Sequence, residues 1–274
     1  MRILFCFILL VFLCPGLITG PVSAMAREGI ATQISAGLGV ERLMYEERLS
    51  ELSLESNSDV TNLVVKIEGL KRWENIFIGI NGAVPLKSFA NREEWFVNNM
   101  LDQTNSLNNA EFQFAAFIGY PFDPLLNPFL GLRSTWSKQQ RSDFRSYNGT
   151  PVISSKITEE VLAHFVLLGV RGSVPVSEKW GIGYGAEYNF PYYSNVTNDG
   201  FAGWETTNVK GYLWGTHIEL LYAFREDISM SLFLCAGQQH WEGSDWQTYN
   251  DDQIKWPEND TYFINLFWDI IWNF

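Results

Sequence analysis

The chain has 274 residues, a formal net charge of −12, 46% apolar and 15% aromatic residues, and 11 tryptophans. That charge excludes a nucleic-acid binder, because phosphates call for a basic surface. Of the three cysteines, Cys6 and Cys14 fall in an N-terminal segment expected to be removed, and Cys235 alone can form neither an internal disulfide nor a cysteine-based metal site.

Arg2 precedes an apolar run, Ile3–Ile18, broken at Pro15 and Gly16, and Ala24-Met25-Ala26 offers a small-residue cleavage site. This order predicts a cleaved secretory signal peptide over 1–26 and one domain over 27–274. The run is shorter than the ~20 residues of a membrane helix, and Leu13 before Cys14 argues against a lipoprotein. Without Arg2 the charge becomes −13, and Cys235 is left as a small packing residue in an apolar stretch. No later run is long enough for a membrane helix, so strands must carry the aromatic surface, each showing lipid half of its residues.

Ten strands are predicted. The first is Ile30–Tyr45 and the second Thr61–Lys71, with a turn at Arg72-Trp73-Glu74 into the third, Asn75–Leu86. The fourth, Glu111–Tyr120, turns through Pro121–Asn127 into the fifth, Pro128–Arg141. The sixth, Thr158–Val174, turns through Pro175–Glu178 into the seventh, Lys179–Pro191. The eighth, Asn208–Phe224, turns at Arg225-Glu226-Asp227 into the ninth, Ile228–Trp241, and the tenth is Thr261–Phe274.

Short turns alternate with long polar connections: Glu46–Val60, Lys87–Ala110, Ser142–Ile157, Tyr192–Thr207 and Glu242–Asp260. Short periplasmic turns and long outer loops are the layout of an outer-membrane barrel, and an even strand count puts both termini in the periplasm.

Strand seven alternates most clearly. Trp180, Ile182, Tyr184, Ala186, Tyr188 and Phe190 share one face, and Gly181, Gly183, Gly185, Glu187 and Asn189 share the other. The glycine face suits a crowded lumen. An open sheet would expose its edges and a stripe of aromatics; closure in lipid removes both problems. Trp73, Trp180, Phe224 and Phe274 near the turns, and Phe190, Tyr192, Tyr193 and Trp241 near the loops, predict two interfacial belts. In the last strand Trp268, Ile270, Trp272 and Phe274 share the oily parity, against Asn265 and Asp269.

The polar parity points Glu41, Lys66, Glu68, Glu111, Arg133, Glu187, His217, Glu219 and Asp269 into the lumen. In strand six, His164 and Arg171 have opposite parity and cannot both face inward without a bulge. Ten strands lie near the filled end of the barrel range, and buried charges must pair or stay hydrated. The expectation is a largely occluded lumen in which Lys66 and Arg133 each bridge several acids. Six acids against two secure bases predict cation preference if the lumen conducts.

No enzyme is expected. A Ser–His hydrolase needs a serine within reach of its base; Ser244 near His240 is the only such hint, and His217 is too deep for loop-borne chemistry. Glu46, Glu47, Glu51 and Glu55, and Asp251, Asp252, Glu258 and Asp260, lack the spacing of a calcium loop and read as solvated charge. No metal or other cofactor is expected. Trp241, Trp246, Tyr249 and Trp256 make the last loop aromatic, able to cover the mouth or meet a partner.

The segments Gly37–Glu47, Pro128–Phe144, Val166–Phe190 and the closing strand resemble those of small bacterial outer-membrane β-barrel proteins, porin-like and without an assigned function. The resemblance implies a ten-stranded all-β, antiparallel, up-and-down transmembrane barrel. Its partners would be outer-membrane lipid, lipopolysaccharide and the barrel-assembly machinery, the last reading Trp268, Ile270, Trp272 and Phe274. The barrel is expected to be a monomer in a Gram-negative bacterium. The resemblance transfers no catalytic residue. The family of ten-stranded outer-membrane proteases would require paired acids and an Asp/His pair at the rim, yet no Asp stands two residues before His240. Structural or narrow porin-like is therefore the expected role, with an outer-membrane enzyme or a loop-mediated binding barrel as alternatives.

Overall fold

A computed structural model describes residues 31–123, 125–153 and 155–274; the expected signal peptide and Ile30 lie outside the described residues. Ten long strands form the wall: β1 (Ala31–Leu49), β2 (Leu54–Arg72), β3 (Phe77–Phe89), β4 (Met100–Gly119), β5 (Asn127–Ser146), β6 (Ile157–Pro175), β7 (Trp180–Asn198), β8 (Gly211–Ala223), β9 (Ile228–Trp241) and β10 (Glu258–Asn273). Each pairs antiparallel with the next. The pairing of β10 with β1, from Gln33↔Asn273 to Arg48↔Glu258, closes the ring. The all-β up-and-down barrel expected from the alternation is the fold observed.

Period-2 alternation sorts the side chains. Leu38 and Val40, Ile78 and Ile80, Leu130 and Leu132, Leu232 and Leu234, and Leu266 and Trp268 stand exposed on the outside. This apolar band ends where Arg42 and Lys138 take the outward positions. Beyond it the strands rise higher than their hydrophobic period. The expected loop Glu46–Val60 is the top of the β1–β2 hairpin, turning at Ser50–Leu52 with Ser53 at φ 48°. Much of Lys87–Ala110 is strand as well: Asn91–Val97 pairs with β2 and β4. These segments lack an outer apolar face because water lies outside, and most of their buried positions are polar (Ser56, Ser58, Asn105, Asn109), so periodicity could not mark them as strand.

The interior is layered. At the turn end Phe77, Phe117 and Leu167 pack with Leu70 and Phe129. At the loop end Leu43, Tyr45, Val60 and Leu107 form one cluster, and Phe165, Val196, Trp204, Leu213, Trp241 and Trp256 belong to another. Trp241 is thus a core residue and not part of an interfacial belt; its odd parity on β9 turns it inward with Gln239. Charged residues occupy the space between the layers.

Candidate functional site: the charged lumen and its mouth

The nine lumen residues all lie on inward parity. Lys66 Nζ is 2.6 Å from Asp269 Oδ2 and sits 3.7 Å from the centre of the Phe233 ring. Arg133 grips Glu187 with both guanidinium nitrogens, the Nη2–Oε2 bond measuring 2.9 Å. The strand-six ambiguity resolves with Arg171 inward, 2.9 Å from Glu68, and His164 outward. Arg171 therefore adds a third base to the two expected. Among the described residues Lys66 and Arg133 each make one ion pair rather than bridging several acids.

The remaining acids hold neutral partners: Asn62 donates to Glu41 at 2.8 Å, Gln113 to Glu111 at 2.7 Å, and Ser231 to Glu219. His217 stacks on Phe233 with centroids 4.9 Å apart and covers Gly185, where an added Cβ would meet its Cε1 at 2.4 Å. The glycine face of β7 thus receives the large side chains of β8. Cys235 is an unbridged, half-buried lumen residue.

Above the apolar band a second charged layer closes the barrel. Arg141 is 3.0 Å from Glu47 and 2.8 Å from Glu93, and Glu93 also accepts from Asn105 at 2.6 Å. Tyr45 donates to Glu47 at 2.5 Å. Burial, then the nearby Glu159 and Glu93 charges, push the Glu47 carboxyl up to about 7 despite Arg141. Two acids share one guanidinium there with a third nearby, and one of them must hold its proton more tightly.

Trp256 drops from the last loop onto this layer, donating its indole N–H to Glu159 at 2.9 Å and packing against Trp241 at 6.1 Å. The aromatic last loop does cover the mouth, tied down also by Lys255 to Glu51 at 2.6 Å. Trp95, Phe201, Trp204 and Trp256, with Glu47, Arg141 and Glu159, line a pocket of about 140 Å³ under it.

The catalytic hints in the sequence do not come together. Ser244 donates to Asp245 O and accepts from the Trp256 N–H, while His240 faces the outer wall, 2.9 Å from Asp260. His240, Glu258 and Asp260 could converge on a cation, but Arg48 already stands 3.2 Å from Asp260 and 3.7 Å from Glu258. A different Ser–His pair forms across β5 and β6: Ser134 Oγ lies 2.9 Å from His164 Nδ1, on the lipid-facing side. The two are thirty residues apart in sequence. The sequence left the facing of His164 open, and it held no sign of the cross-strand register that sets Ser134 opposite it.

No protein-family profile matches the chain, and no curated protein matches it in sequence. Solved structures do match in fold. The outer membrane protease OmpT from Escherichia coli superposes with a TM-score of 0.65 at 12% identity, covering 93% of this chain and 99% of that one. The translocator domain of the autotransporter NalP from Neisseria meningitidis gives 0.37 at 11% identity, over 91% and 90%. Ail, the attachment invasion locus protein of Yersinia pestis, gives 0.32 at 7%, over 89% and 99%. The chain has the architecture of an outer-membrane β-barrel, and at these identities the likeness extends to the fold alone.

Proposed function

We propose that this is an integral barrel of a bacterial outer membrane with both termini in the periplasm and a lumen closed by its own side chains, so that its role is structural rather than that of an open pore. The observation that carries this reading is the set of pairs Lys66–Asp269, Arg133–Glu187 and Arg171–Glu68, which tie different strands together within the barrel interior. Aromatic layers stand on both sides of them. A hydrated path would leave these charges to water; here Asp269 and Arg133 are almost fully buried.

The location rests on the apolar belt and the resemblance of the closing strand to outer-membrane barrel termini. An acid/histidine protease site at the mouth lacks its base: of the three histidines, His164 and His240 face outward and His217 lies deep in the lumen. Single-channel recording in a planar bilayer tests the proposal. The expected record is silence or rare, small, cation-preferring events. A steady conductance, or one selective for anions, would overturn it.

A further inference from the structure

Going beyond the closed-lumen reading, we propose that Ser134 and His164 form a nucleophile–base pair on the lipid-facing wall that cleaves long-chain acyl esters at the membrane surface. Ser134 projects outward between exposed Leu132 and Trp136, and His164 between exposed Leu162 and Val166. Polar side chains facing lipid are costly, which makes such a pair a functional candidate by default. Ser134 Oγ is 2.9 Å from His164 Nδ1, within reach for the imidazole to take the hydroxyl proton.

The imidazole is held in place by neighbours. Its ring stacks near Tyr193 and Tyr192, with centroids 5.5 and 6.1 Å away and interplanar angles of 23° and 27°. The β6–β7 register shifts at this point: His164 pairs with Tyr193 and Phe165 with Pro191. Tyr192 is skipped, so its peptide group has no counterpart in the register. Bulges recur beside active sites because they re-aim a side chain and release a backbone group.

Depth selects the substrate. One step toward the loop end, about 7 Å along the strand, Phe112 stacks on Trp136 at 5.0 Å, an aromatic pair of the interfacial kind. Beyond it Lys138 and Glu160 form an exposed ion pair at 2.7 Å. The Ser–His pair therefore lies just inside the apolar band, at the level where acyl chains join their polar headgroups.

Ser134 Oγ attacks the ester carbonyl as its proton passes to His164 Nδ1. The ester C–O bond breaks and His164 returns the proton to the leaving alkoxide. Water from the interface, deprotonated by His164, then attacks the acyl-serine and releases the fatty acid, restoring the hydroxyl.

The test uses the folded, detergent-solubilised chain. A fluorophosphonate probe with mass-spectrometric site mapping reads the nucleophile. Fatty-acid release from mixed micelles of phosphatidylethanolamine or of lipid A reads the activity and tells the two ester sources apart. Ser134 is expected to take the label, S134A to abolish labelling and release, and H164Q to slow both by about 100-fold or more. Heat-modifiable migration confirms that the variants are folded. Folded wild type that leaves Ser134 unlabelled, or that releases no more acid than S134A from either lipid, overturns the proposal. Neither result bears on conductance, so the closed-lumen reading stands or falls separately.

Discussion

Lys66 on β2 and Asp269 on β10 meet at 2.6 Å by reaching over Gly37 of β1, the residue that registers opposite both. The ion pair spans two strand spacings because the strand between them carries no side chain at that level. An added Cβ at Gly37 would come within 1.7 Å of Asp269 Oδ1. G37A is expected to displace the carboxylate and lower the temperature at which the barrel loses its heat-modifiable migration. D269N leaves the buried ammonium without its counter-charge and is expected to cost about 3–5 kcal/mol. Wild-type unfolding temperatures for both variants would count against the pair as a tie.

Arg133 and Glu187 join β5 to β7 on the glycine-rich face of β7. Arg133→Ala removes a bulky base and leaves an acid facing the lumen. The expected outcome is more frequent conductance events with stronger cation preference in a planar bilayer.

Glu47 predicts a pH dependence at the mouth. Its carboxyl titrates near 4.5 when unfolded and near 7 when folded. Between those values the folded chain keeps a proton that the unfolded chain has lost. The stabilising contribution is therefore fully present below about 4.5 and is lost as pH rises to about 7. Urea unfolding followed by tryptophan fluorescence at pH 5 and pH 8 should show the stronger fold at pH 5, and E47Q should flatten that difference.

Trp256 fixes the last loop through Glu159 and Trp241. Truncation of a buried tryptophan commonly costs about 3–5 kcal/mol, but this one belongs to a loop that can open locally. W256A is expected to admit protease cleavage between Glu242 and Glu258 while the barrel keeps its heat-modifiable migration.

The chain end supplies the last prediction. Phe274 exchanges backbone hydrogen bonds with Thr32, its N–H to Thr32 O at 2.8 Å, at the seam where the ring closes. Trp268, Ile270 and Phe274 stand exposed on the lipid side of that strand. Removing Phe274 is expected to reduce folded barrel in isolated outer membranes, measured by heat-modifiable migration, with unfolded chain accumulating.

The amino-acid sequence by itself determined the all-β class, the ten-strand count, most of the outward belt and the inward parity of nine lumen residues from Glu41 to Asp269. Those follow from a period of two and from turns that punctuate it, both local properties. It did not disclose the upper ends of β1 and β2 or the upper half of β4, which face water outside and mostly polar groups inside and so carry little hydrophobic period.

Which residues meet depended on register and on the curvature of the closed sheet. Lys66 finds Asp269 because Gly37 lies between them, Arg171 rather than His164 faces inward, and Trp256 enters the mouth from a loop. Ser134 and His164 come together because the register of β5 on β6 sets them opposite one another, a relation between strands that neither segment encodes alone.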